Sequence, residues 1–512
     1  MKILLLATPF NDAWINPLLP ANTGYPMGLP YIHAVLEQHG HTVTTLPLNH
    51  IAPADADRII QQTLEDFQPE VVGFNILSDS RVSALAWIKR IHHDHPRIQI
   101  IAGGVHATTM REQIVRHFPR VVIVVGEGEL TTPELITALQ HQTPLDAVAG
   151  IAFWNGQQYV ETPSRPLLDN LDQLPFPKHE LFFTPSGFQA PGRTWAFMLT
   201  SRGCPYHCSF CVLSKMTNRQ VRFRSVAHVI AEIVALKTRY PELQYVWFND
   251  DQFFLKNSRV IEFCTEIIRL NLGLKFLCSA RFRPISAEML TAMEKAGFEQ
   301  LYFGLESGSQ KILDLAQKAL KQKDVLHAVE LLKHSRMKIG MFLIVGLQGE
   351  SAETIQESIN FIQTLQKIRY VEFGDSAILM IYPATHVYDL AREAGQISDE
   401  YWLGEGPTPY FTVEHSVAEL QHLRNTLLDG VALNRFFTWN GFRQQVFMLP
   451  YIIRTAYRCG YNPTPTLAGL VRLHFPRLYT GLRGLYRLAK KWYRIVRPGF
   501  PEKRLTHERP GW

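Results

Sequence analysis

Cys204, Cys208 and Cys211 fall within eight residues, in the run SRGCPYHCSFC. Three thiolates at this spacing can each hold one iron of a [4Fe–4S] cubane, which leaves the fourth iron without a protein ligand. An open iron is what a cluster needs if it must chelate a substrate and not merely pass electrons. Two other chemistries stay open at this point. Zinc could take the same thiolates with His207 as fourth ligand, although His207 adjoins Cys208 and is poorly placed to share its metal. Cys208 and Cys211 could instead form a redox CxxC pair, which leaves the third cysteine without a use. The other three cysteines, Cys264, Cys278 and Cys459, are scattered among apolar neighbours and read as small core residues.

The elements that must position such residues alternate in strand and helix patterns. In residues 1–150 five apolar runs, KILLLAT, TVTTLPL, VVGFNIL, IQIIAGG and VVIVVGE, are each followed by an amphipathic stretch, at 28–38, 54–67, 82–93, 107–118 and 130–140. Continuous apolar strands joined by helices predict a parallel sheet covered on both faces, a doubly wound, flavodoxin-like α/β domain. Ligands of such sheets sit at the carboxyl ends of the strands. Those ends carry Ser78 and Asp79, then Gly103, Gly104, Val105 and His106, then Gly126, Glu127, Gly128 and Glu129. A nicotinamide-dinucleotide reading fails here. A GxGxxG frame begun at Gly126 meets Thr131 in its last place, and it follows the fifth strand instead of the first.

Residues 151–194 are the expected linker, with six prolines between Thr162 and Gly192. From 195 to 385 the alternation resumes, with candidate strands TWAFMLT, YVWFND, KFLCSA, QLYFGLE, IGMFLIVG and VEFGDSAIL. Six such units predict a partial (β/α)6 barrel whose chemistry lies on loops at the strand carboxyl ends. The cysteine run occupies the first of those loops. Residues 386–512 read as mainly helical and basic, with 15 Lys and Arg against Glu502 and Glu508 between Asn434 and Trp512.

Within that basic end, Leu467–Val496 sets Leu, Tyr, Trp and Ile at helix-like intervals among Arg and Lys, and Pro476 should divide it into two helices. That is the pattern of an interfacial membrane anchor, and equally of a helix packed on the barrel. A nucleic-acid partner is not expected, because the rest of the chain has no matching basic signal. The composition, 46% hydrophobic and 19% charged, describes a globular protein. No apolar run approaches the roughly 18–20 residues that span a bilayer. The opening MKILLLATPF lacks a cleavage site, so a cytoplasmic protein is expected, with peripheral membrane contact through the tail.

The CxxxCxxC array with an aromatic, Phe210, before its last cysteine resembles the radical S-adenosylmethionine enzymes, over about residues 195 to 385. The resemblance implies that the methionyl amine and carboxylate bind the open iron, and that one-electron reduction releases a 5′-deoxyadenosyl radical. Phe210 would offer its backbone to the adenine. Asp250 or Asp251 would stand where the family often has Gly-Gly-Glu for the methionyl amine. Ser279 and Arg281 would meet the carboxylate or ribose, Glu306 with Ser307 beside it the ribose hydroxyls, and Gly346 the adenine side.

A doubly wound domain ahead of this barrel is similar to the subclass whose first domain binds cobalamin, through GGVHAT and VVGEGE. The DxHxxG motif that supplies a cobalt-ligating His elsewhere is absent, since His33, His39, His41 and His106 all lack the frame. The resemblance therefore implies cobalamin bound without a protein His below cobalt. It implies methylation of an unactivated carbon of a small-molecule or lipid substrate, with an external one-electron donor of flavodoxin or ferredoxin type. A tetrapyrrole-type cyclisation without methyl transfer, and a non-catalytic cobalamin or metal sensor, remain the alternatives.

Overall fold

The fold comes from a computed structural model, which describes residues 1–10, 26–49, 51–182, 194–373, 377–409 and 412–435. The first sheet holds β1 (Lys2–Ala7), β2 (Thr42–Pro47), β3 (Val71–Asn75), β4 (Gln99–Gly103), β5 (Val121–Val124), β6 (Ile151–Trp154) and β7 (Tyr159–Glu161). Their order is β2-β1-β3-β4-β5-β6-β7, parallel as far as β5. The order reverses between β1 and β3, which opens the switch-point crevice of a doubly wound domain. β1, β3 and β5 are apolar almost without interruption because helices cover both faces, so nearly every side chain of theirs is buried.

β6 and β7 correct the expected linker, since they add to the sheet antiparallel at its β5 edge. Their alternation, IAFW and YVE around a turn, is the signal of a hairpin on a sheet edge. The expected helix at 107–118 is likewise two, Val105–Thr109 and Arg111–His117, broken at Met110.

The second sheet holds β8 (Thr194–Met198), β11 (Leu243–Phe248), β12 (Lys275–Ala280), β13 (Phe298–Glu306), β14 (Lys338–Val345) and two short strands, β15 (Glu372–Phe373) and β16 (Ala377–Ile378). All pair in parallel in the order β15-β14-β13-β12-β11-β8, with β16 on the far end of β14. This is the expected partial barrel. A separate antiparallel ribbon of β9 (Ser201–Arg202) and β10 (Arg222–Phe223) closes the long loop after β8.

Period-two patterning sorts the barrel side chains between its two faces. Ala196, Met198, Val246, Phe248, Phe276, Cys278, Leu301, Phe303, Met341 and Leu343 join the helices in the main core. Cys264 and Cys278 are both buried there, as small core residues should be. The opposite face carries Phe197, Trp247 and Leu277, covered by Tyr31 and Val35 of the helix Gly28–Gln38 and by Leu171 and Leu174. One face of the barrel is thus partly roofed by the first domain.

The region from 386 is not only a helical end. Ile381, Tyr388, Ala391, Ile397 and Trp402 belong to the core of the first domain, so this segment straps back across it. The helix Val417–Arg435 follows. The basic stretch Leu467–Val496 lies outside the described residues. No helix among the described residues is long and apolar enough to cross a membrane.

Candidate functional site

The cysteine loop springs from the neck of the β9–β10 ribbon. Gly203 makes the turn possible, because at φ +94 a Cβ would stand 2.0 Å from the Gln220 carbonyl oxygen. Its N–H donates to Asp251 Oδ2 at 2.9 Å. Farther along, Cys211 N–H donates to the Cys208 carbonyl at 3.0 Å, and Ser209 N–H donates to the Ala316 carbonyl at 3.0 Å. Cys204, Cys208 and Cys211 are all half-buried.

Burial pushes the Cys211 thiol up to about 11, and the neighbouring Cys208, Cys204 and Asp251 charges add to the rise. Burial also raises Cys204. Cys204 and Cys211, whose thiolate forms burial disfavours, would gain from a cationic group that takes up their charge. Cys204, Cys208 and Cys211 lie half-buried on one loop with Arg281 beside Cys208, and three thiolates that each take one iron suit a cubane.

Arg281, at the end of β12, supports this loop from beneath. Its guanidinium lies 3.7 Å from the centroid of the Tyr206 ring, with Nη1 3.9 Å from Cys208 Sγ, and Nη2 donates to the Lys318 carbonyl. These contacts occupy Arg281 with the cradle, in place of the methionyl or ribose contact expected from sequence. Ser279 lies two residues before it, half-buried.

Asp250 is also committed elsewhere. It is buried, and its oxygens accept from the N–H and hydroxyl groups of both Thr200 and Ser201. It pins the end of β8 and leaves Asp251 as the carboxylate beside the loop. Burial raises the carboxyl of both.

Phe210 packs at the edge of the cluster formed by Ile312, Ala316, Leu347, Leu379 and Val387. Lys318 Nζ stands 5.8 Å from its ring centroid and donates to Glu306 Oε1 at 2.6 Å. Both members of this pair are buried, and Glu306 holds φ +65, a costly backbone for a residue with a Cβ. Ser307 is spent on the turn, bonded to Ser358 Oγ and accepting from Ser309 N–H.

Gly346 (φ +100) is approached on its Cβ side by Leu420, whose methyl would lie 2.8 Å from a Cβ, so a helix and not a ligand fills that space. Beside it Glu350 accepts from the Gly346 N–H and is pushed up to about 7, chiefly by burial. Sequence reasoning missed Glu350 and Lys318, since a single acid or base carries no positional signal of its own.

The strand ends of the first domain divide into two groups. Gly103 ends β4, and Gly104 (φ +95) has no room for a Cβ, which would stand 2.3 Å from Asn75 Oδ1. Gly126 (φ +79) has open space around its Cβ position, while a Cβ on Gly128 would meet Ile32 at 3.0 Å. Val105 and Leu130, 37% and 44% exposed, stand beside these glycines, and exposed aliphatic groups next to open backbone suit a large, partly apolar macrocycle. This edge fits a corrin.

The polar members of the edge face other partners. His106 is buried, hydrogen-bonded through Nδ1 to Ser78 Oγ at 3.0 Å, and covered by Trp402 with ring centroids 5.3 Å apart. It is held down to about 3, chiefly by burial and then by Arg81. Glu127 and Glu129, expected at the corrin, instead bind the cysteine-loop ribbon. Arg222 meets both oxygens of Glu127 at 2.6 and 2.8 Å, and Arg202 meets Glu129 at 2.6 Å. The loop after β5 is thus bonded to the ribbon from which the cysteine loop springs.

A B12 binding domain model matches residues 19–136, and a radical SAM superfamily model matches residues 198–362. An uncharacterized methyltransferase of Pyrococcus horikoshii is 30% identical over 86% of this chain and 92% of its own length. The chain belongs to the cobalamin-binding radical S-adenosylmethionine enzymes. This enzyme is also 26% identical to the anaerobic magnesium-protoporphyrin IX monomethyl ester cyclase of Rubrivivax gelatinosus, over 82% of this chain and 75% of that one. To the cytidylyl-2-hydroxyethylphosphonate methyltransferase of Streptomyces wedmorensis it is 27% identical, over 71% and 77%. Its fold matches the radical S-adenosylmethionine methyltransferase TsrM from Kitasatospora setae, at TM-score 0.62 and 18% identity over 82% of each chain. As a member of this family the enzyme uses a [4Fe–4S] cluster, S-adenosylmethionine and cobalamin. Cys204, Cys208 and Cys211 are the residues suited to the cluster, and the glycine edge of the first domain is suited to the corrin.

Proposed function

We propose that this enzyme methylates an unactivated carbon of an apolar small molecule or lipid. The observation that carries the reading is the bonding of the cobalamin-binding domain directly to the cysteine loop, through Arg202–Glu129 and Arg222–Glu127. When bound, the corrin would supply the methyl group and the cluster the radical, and these pairs would hold the two domains that carry them against one substrate atom. The relatives named as methyltransferases support the same reading. Two molecules of S-adenosylmethionine and two electrons then yield the methylated product, S-adenosylhomocysteine, 5′-deoxyadenosine and methionine. The cofactors supply the bond-making chemistry and the protein holds them in place. An external flavodoxin- or ferredoxin-type donor supplies the electrons.

The chain's own residues suggest how the substrates are held. Lys318 and Glu306 offer a buried cation and anion beside Phe210, a match for an amino-acid head group with one charge of each sign. The rings of Phe197, Trp247, Tyr302 and Phe342 follow one another across the concave barrel face, stacked at 6.0, 5.1 and 5.6 Å. Phe342 is 39% exposed, and the buried Trp247 Nε1 has no hydrogen-bond partner among the described residues. Such a face favours a flat or hydrocarbon-rich substrate with one hydrogen-bond acceptor.

Anaerobic reconstitution with reductant and candidate apolar acceptors tests the reading. Equal amounts of S-adenosylhomocysteine and methylated product support it. A transformed substrate with 5′-deoxyadenosine but no S-adenosylhomocysteine would transfer the protein to a second reading, cyclisation, which the cyclase relative favours. Cleavage of no S-adenosylmethionine under any condition would leave a cobalamin sensor. The basic stretch Leu467–Val496 adds the proposal of a peripheral site at an anionic membrane surface. Flotation with liposomes, with and without residues 467–512, checks it, and equal partitioning of the two forms would reject it.

A further inference from the structure

The ribbon at the base of the cysteine loop sets two arginines against each other. Arg202 of β9 and Arg222 of β10 are direct partners across the antiparallel pair. Like charges directly opposite destabilise a two-stranded ribbon. Here both guanidinium groups are largely withdrawn from water, which screens their repulsion less. What neutralises them comes from the other domain. Glu127 takes Arg222 with both oxygens and lies 3.5 Å from Arg202, while Glu129 takes Arg202. The Tyr31 ring, also of the first domain, lies 5.0 Å from the Arg202 guanidinium. Two positive and two negative side chains therefore close the neck of a loop whose first cysteine, Cys204, is two residues past Arg202.

We propose that Glu127 and Glu129 are positioning residues that clamp this neck, so that the iron–sulfur site is closed only while the cobalamin-binding domain is docked on it. Without the glutamates the two guanidinium groups push the ribbon apart, and the turn at Gly203 keeps only the Asp251 bond to hold it. Docking of one cofactor domain and integrity of the other cofactor's cradle become one event. The inference rests on the family assignment and not on methyl transfer, because cluster retention is read without turnover.

The test uses the full chain, reconstituted anaerobically with iron, sulfide and hydroxocobalamin, as Glu127→Gln, Glu129→Gln and the double variant. Three quantities are measured: the rate of iron loss to a chelator, amide exchange over residues 203–221, and bound corrinoid. The double variant should lose iron roughly tenfold faster than the unaltered protein, with faster exchange over 203–221 and unchanged corrinoid. Glu161→Gln, which breaks the pair with Arg111 elsewhere on the first domain, should leave all three unchanged. An unaltered rate of iron loss in the double variant would overturn the clamp. So would loss of corrinoid with iron retained, which would return the glutamates to the corrin edge. Should the double variant fail to fold, Arg222→Lys keeps the charge but cannot make the paired contact with Glu127. It should lose iron at an intermediate rate, and an unchanged rate there overturns the proposal equally.

Discussion

Arg281 shows how much one side chain can decide. Its guanidinium, held by Tyr206 and the Lys318 carbonyl, puts a fixed positive charge beside Cys208, in a loop where burial raises the Cys204 and Cys211 thiols. The cradle is ready for an iron–sulfur group whose thiolates carry negative charge. Cys208→Ala should therefore purify without the cluster after anaerobic reconstitution, read as iron and sulfide per chain and as loss of the visible absorption. Full cluster content in that variant would sink the assignment. His106 makes a second prediction at this scale. Its folded pKa is depressed to about 3, so the folded state keeps it neutral while the unfolded chain takes up a proton near pH 6.5. The unfolded state binds more protons between these limits, and stability must fall as pH drops from about 6.5 toward 3. The slope reaches at most about 1.4 kcal/mol per pH unit for one such group. Denaturant midpoints from pH 7 to 4.5 should show a shallower decline in His106→Gln than in the unaltered protein. An identical decline would mean that His106 titrates normally.

Among the elements, the strap from Ile381 to Thr408 ties the two halves together. Thr408 Oγ1 and the Tyr382 hydroxyl both donate to Asp79, the first at 2.7 Å, and Gln113 donates to Asp399 at 2.9 Å. Trp402 is its deepest anchor, packed on His106 with the Arg81 guanidinium 4.8 Å from its ring, and its Nε1 donates to the Tyr388 hydroxyl at 3.1 Å. Trp402→Ala should cost about 3–5 kcal/mol, as other large-to-small core changes do. Chemical denaturation measures that loss, and proteolysis should become faster within 381–408 first. Most helices and strands were legible beforehand, because their apolar residues recur at 3.6 or stay continuous over a strand length. The strap was not. Its buried residues Ile381, Tyr388, Ala391, Ile397 and Trp402 keep no single period, since only Tyr388 and Ala391 share the short helix His386–Glu393 and the connecting segments bury whichever side chains their path turns inward.

At the scale of the whole molecule, the first domain meets the barrel through the helix Gly28–Gln38 on the concave face and through the Glu127–Glu129 loop on the cysteine-loop neck. His106 is sealed under the strap. His33 is buried, bonded to Thr45 and lying 3.2 Å from Glu37. Neither presents a free imidazole to a corrin at the glycine edge. Spin resonance of the cobalt(II) form of the full chain should therefore show no nitrogen splitting that disappears in His33→Gln or His106→Gln. A splitting lost in either variant would contradict the His-free reading.

By itself the sequence determined the family, with the cofactors it uses, and the architecture. Ligand spacing, strand continuity and helical period are local properties, carried by residues near one another in the chain. Cys204, Cys208 and Cys211 and the glycines at 103, 104 and 126 are such cases. Only the tertiary structure decided what each polar side chain faces. Glu127 and Glu129 sit at strand ends where a ligand is expected, yet Arg202 and Arg222, some 70 to 95 residues away, claim them. Asp250 and Ser307 are spent on neighbouring turns, and Lys318 completes Glu306. A buried charge takes its partner from whatever the fold brings within about 3 Å, and sequence spacing does not encode that distance.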